Sequence, residues 1–65
     1  MNLGEGVHTV PHAQGTGWCN KVKGRVLSRH NTKEVAEVVG REIARRLRVE
    51  HTVHDINGVI AKTDS

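Results

Sequence analysis

The sequence predicts an α+β domain in which a single helix packs on one face of a small antiparallel sheet, in the order β-β-β-α-β-β. Three observations carry that expectation. One segment alone, Asn31 to Arg48, sustains a helical period. In it Val35, Val39, Ile43 and Leu47 recur every four residues, with Ala36, Gly40 and Ala44 beside them. The runs on either side are short and alternate in the manner of strands. Asn57-Gly58, between the last two of these runs, is a strong hairpin signal.

Residues 1–6 hold two glycines and no period, and read as a flexible start to a single domain over residues 7–65. Val7 to His12 alternates as a strand, with Pro11, which has no N–H to donate, at an edge or strand end. Gln14-Gly15-Thr16-Gly17 is a turn whose glycines tolerate positive φ. Trp18 to Lys23 makes a second strand, Gly24 breaks it, and Val26 to His30 makes a third. Asn31 then caps the helix, with Glu34 three residues on to complete a capping box. Val49 to His54 is a fourth strand and Val59 to Thr63 a fifth. A four-residue loop between them pairs Val53 with Ile60 and buries both. The expected core is therefore Val35, Val39, Ile43, Leu47, Trp18, Val53 and Ile60.

Composition narrows the function classes. A 65-residue chain buries only about 60% of its unfolded surface, so stability is marginal and a homodimer is a natural expectation. Ligand pockets of even about 300 Å³ need walls that so short a chain can barely supply. The single cysteine makes no internal disulfide, and no apolar run approaches the roughly 20 residues of a membrane span. The expectation is a soluble, cytoplasmic protein.

The net charge of +3 is uneven. No acidic residue falls between Glu5 and Glu34, whereas Lys21, Lys23, Arg25, Arg29 and Lys33 all do. From Glu34 onward six acids face five bases. The basic character belongs to the first half of the chain, and the question of a partner with it.

Val7-His8-Thr9-Val10-Pro11-His12, followed by Gly17-Trp18 and a lysine, resembles the opening of domain of unknown function 2188, a family of small bacterial and phage proteins. Asn31-Thr32-Lys33-Glu34 resembles that family's helix entry, and Val53-His54-Asp55 through Asn57-Gly58-Val59-Ile60 its closing hairpin. Cys19 and Asn20 depart from the pattern, standing where the family tends to small and β-branched residues. Val59 departs too, where the family tends to a polar one. The resemblance implies the fold, and it implies no activity, substrate or catalytic residue.

Five histidines and Cys19 invite a metal reading, which spacing opposes. His8 and His12 on one strand have Cα atoms about 13 Å apart, and His51 and His54 point to opposite faces. No metal and no cofactor is expected. Nothing places a base or an oxyanion donor beside Cys19, and Gly15-Thr16-Gly17 lacks the following helix of a phosphate loop, so no enzyme is expected. The arginines late in the helix have a structural account in Glu37–Arg41 and Glu42–Arg46 pairs and in the helix dipole.

The acid-free basic segment remains. Lys21, Lys23, Arg25 and Arg29 lie on successive strands and a turn, where they can share one rim of the sheet and attract phosphates without reading sequence. Two readings follow. One is an accessory protein that binds nucleic acid weakly through those residues. The other is a protein-interaction module or homodimer that uses an exposed sheet edge or face.

Overall fold

The computed structural model describes residues 6–12 and 16–64. Of the flexible start expected over residues 1–6 only Gly6 is described, and of the turn at 14–17 only Thr16 and Gly17. Alternation builds five strands, β1 (Val7–Pro11), β2 (Trp18–Val22), β3 (Arg25–His30), β4 (His51–His54) and β5 (Ile60–Asp64), with the helix α1 (Lys33–Leu47) between β3 and β4. The fold class and the element order are those read from the sequence. Gly24 does not merely break a strand. Lys23 (φ 53) and Gly24 (φ 78) together form a tight turn of left-handed residues that sets Val22 opposite Arg25.

The strands lie in the order β3-β2-β1-β4-β5. Three pairings are antiparallel and one, β1 with β4, is parallel, so the sheet is mixed where the sequence reading expected a purely antiparallel one. The reason is directional. Two hairpins leave β3 running the same way as β1, and the 15-residue helix carries the chain back over the sheet to lay β4 beside β1. A parallel neighbour requires such a crossover.

The helix meets the sheet through its smallest residues. Ala36, Gly40 and Ala44, spaced four apart, are buried, and Val39 and Ile43 flank them half-buried. Val35 is 50% exposed and Leu47 51%, so the branched stripe expected to form the core sits to one side of the contact. Beneath Gly40 lies the cause. A Cβ there would overlap Asn20 Oδ1 and come within 2.7 Å of both His51 Nε2 and Thr9 Oγ1. Only a glycine lets helix and sheet approach this closely.

Those three polar residues occupy the centre of the domain, where the sequence reading put Trp18. Thr9 Oγ1 donates to Asn20 Oδ1 at 2.6 Å, which uses its one proton. His51 Nε2, 2.7 Å away, must then donate to Thr9 Oγ1, and this fixes the His51 tautomer. Asn20 Nδ2 in turn donates to Ser28 Oγ and to the Ala36 carbonyl of the helix, each at 3.0 Å. Thr9 and Asn20 are each bonded at their side-chain polar atoms, and that makes their burial tolerable. Val7 and Val53, both fully buried, supply apolar packing beside it, about 1.5–3 kcal/mol for each side chain. Trp18 is half-buried at the other end of the helix, with Lys33 Nζ 5.7 Å from its ring centroid.

Three further expectations are corrected. The helix N-cap is Thr32 rather than Asn31: its backbone is extended and its Oγ1 accepts from Val35 N–H at 3.2 Å. In the closing hairpin His54 pairs with Ile60 and Val53 with Lys62, through a bulge, and Ile60 is 60% exposed. Asp55 causes the shift, because its Oδ1 accepts from Asn57 and Val59 N–H and so holds a longer loop than four residues. Finally, Glu37 bridges to Lys62 on β5 at 3.1 Å, and Glu42 lies nearest Arg45 at 3.9 Å, in place of the expected partners Arg41 and Arg46.

Candidate nucleic-acid interface

Among the described residues, no other element covers the sheet face away from α1. Strand alternation and register put His8 and Val10 of β1, Cys19 and Lys21 of β2, Arg29 of β3, and Thr52 and His54 of β4 on it. Among the described side chains no carboxylate shares this face. Glu34, Glu37 and Glu42 are on the helix, Glu50 precedes β4, and Asp55 folds into its own loop. The face is therefore basic by construction.

Of the four residues singled out from sequence, the sheet brings two together here. Lys21 stands opposite His8, and Arg29 stands opposite Cys19 with its Nη2 donating to the Thr16 carbonyl at 3.2 Å. Lys23 sits in the β2–β3 turn, at the end of the sheet. Arg25, paired with Val22, falls on the helix side of the edge strand. The four do not form one rim.

Sequence reasoning missed a histidine pair. His8 Nδ1 lies 3.0 Å from His54 Nε2, the ring centroids 5.3 Å apart. His54 Nδ1 must donate to the Gly58 carbonyl at 3.0 Å, since a carbonyl can only accept. His54 Nε2 then holds the lone pair, and His8 Nδ1–H donates to it. Burial, and after it the neighbouring His54, push the His8 pKa below its ordinary 6.5. The Asp55 loop supplies the Gly58 carbonyl that orients this pair. The two histidines are 46 residues apart, and only the parallel β1–β4 register makes them neighbours.

Among the described residues no group of three or more histidine, cysteine or acidic side chains is gathered to hold a metal. Cys19 is buried and free. No helix is long and apolar enough to cross a membrane. A second feature exceeds what chain length suggested: an open cleft of about 700 Å³ beside the C-terminal end of α1, with Arg41, Arg45 and Arg48 in its lining.

One helix packed on one face of a five-stranded mixed sheet defines a small two-layered α+β domain. The chain belongs to the family of uncharacterized proteins conserved in bacteria, DUF2188, whose model matches residues 7–65. No curated protein and no solved structure gives a match.

Proposed function

We propose that this protein is a small, non-enzymatic accessory protein of the bacterial cytoplasm that binds nucleic acid weakly, without sequence preference, through the open face of its sheet. The observation that carries the reading is the absence of any described carboxylate from a face that holds Lys21, Arg29 and the His8–His54 pair. Phosphates are attracted by such a surface at long range and held by its lysine and arginine. No Phe, Tyr or Trp stands on this face as a stacking platform for a base, so the contacts are mainly to the backbone.

A salt titration of binding to random duplex DNA tests it. Each phosphate contact contributes about 0.9 to the log–log slope, so Lys21→Gln with Arg29→Gln should flatten that slope by roughly 1.8. Arg25→Gln, on the other side of the sheet, should leave it nearly unchanged. Equal effects from Arg25 and from the Lys21/Arg29 pair would refute the face as the binding surface.

The edge strand β5 favours a second reading, association with a protein or with a second copy of the chain. Ile60 is 60% exposed, and Val59 and Ile56 in the adjoining loop are 61% and 71% exposed. Apolar side chains along an unpaired edge are the usual template for strand addition. A dimer mass in solution that reverts to monomer in Ile60→Lys would put this reading ahead.

A further inference from the structure

We propose that the cleft at the C-terminal end of α1 is a binding site for a small phosphomonoester. The cleft, about 700 Å³, is of ligand size. Arg41, Arg45 and Arg48 line it, spaced about one helical turn apart, and among the described residues Glu50 is the one carboxylate in the lining. Three arginines against one carboxylate leave the described lining a net charge of +2. The Glu42 contact to Arg45, at 3.9 Å between exposed side chains, does little to offset it. Ala44 and Val49 supply an apolar wall for the carbon part of a ligand, and buried His51 adds an imidazole edge.

Guanidinium is the group whose planar fork matches phosphate oxygens two at a time, and it stays charged at every working pH. A helix C-terminus alone would repel an anion, with a partial charge of about half a unit. Here the Ala44 and Arg45 carbonyls already accept from Arg48 N–H, and Ala44 also from Val49 N–H. Three full positive charges outweigh what remains.

Arg48 is the helix C-cap and is left-handed, φ 58 and ψ 46, a conformation that glycine adopts freely and a long side chain does not. Glycine at this position therefore relieves the backbone while removing the guanidinium.

Calorimetric titration with adenosine 5′-monophosphate, inorganic phosphate, adenosine and citrate tests the assignment. The monophosphate and phosphate should bind and adenosine should not, with citrate weaker than the monophosphate. Arg41→Gln and Arg45→Gln should each weaken the monophosphate roughly tenfold, as expected for loss of one charged contact. Arg48→Gly should do the same while raising the melting temperature, so that lost binding cannot be ascribed to lost folding. Lys21→Gln with Arg29→Gln should leave the titration unchanged, which separates this site from the open sheet face. Binding of adenosine or citrate as tight as the monophosphate would overturn the proposal, as would full affinity in the arginine variants.

Discussion

Gly40→Ala is the sharpest test of how this domain is held together. In an isolated helix the change is favourable by about 1 kcal/mol, because alanine is the better helix former. In this fold the added methyl meets three atoms of the buried chain: Asn20 Oδ1, and His51 Nε2 and Thr9 Oγ1 at 2.7 Å. Ordinary van der Waals contact needs 3.4 Å or more. The helix must lift away, or the Thr9–Asn20 and Thr9–His51 bonds must break. Each buried polar group left without its bond costs about 1–3 kcal/mol, and overpacking alone about the same. After the propensity gain is subtracted, the expected net loss is about 2–4 kcal/mol. A domain of this length has roughly 3–10 kcal/mol in all. Urea or thermal unfolding followed by circular dichroism should show a melting temperature lower by at least about 8 °C. A variant that melts at or above the parent temperature would mean that the polar chain does not set the helix–sheet distance.

The remaining predictions test the other elements. Ile43→Ala, at the half-buried flank, should cost about 2 kcal/mol, the low end for such a truncation, whereas Val35→Ala at a half-exposed site should change the urea midpoint little; equal losses would restore the branched stripe to the core. Thr32→Ala removes the N-cap acceptor and should lose about 1 kcal/mol, while Asn31→Ala should be near neutral; the reverse order would reinstate Asn31 as the cap. The unfolded chain takes up a proton at His8 near pH 6.5, and the folded chain only at lower pH. The His8 contribution to stability is therefore complete above 6.5 and declines as the pH falls below it. His8→Gln should flatten that part of the melting-temperature profile, and an unchanged profile would remove His8 as its source.

The sequence by itself determined the element order and the helix, because hydrophobic period and turn chemistry are local. Four-residue recurrence from Val35 to Leu47, alternation from Val7 and from Trp18, and Asn57-Gly58 each act within a few residues. The acid-free stretch between Glu5 and Glu34 holds Lys21 and Arg29, which share a sheet face, but also Lys23 and Arg25, which the strand register sets elsewhere. Tertiary structure alone decided which side of the helix lies down. Periodicity ranks side chains by hydrophobicity and so favoured Val35 and Leu47, but closeness of approach is limited by size, which favours Ala36, Gly40 and Ala44. The polar centre was hidden for a related reason: Thr9, Asn20 and His51 look like surface residues until three strands bring their hydrogen-bonding atoms within 2.7 Å. The His8–His54 pair, the parallel β1–β4 register and the cleft of Arg41, Arg45 and Arg48 against His51 likewise depend on residues set side by side by the crossover. Hydrogen bonds and charge pairs act over a few ångströms in space, and separation along the chain carries no record of them.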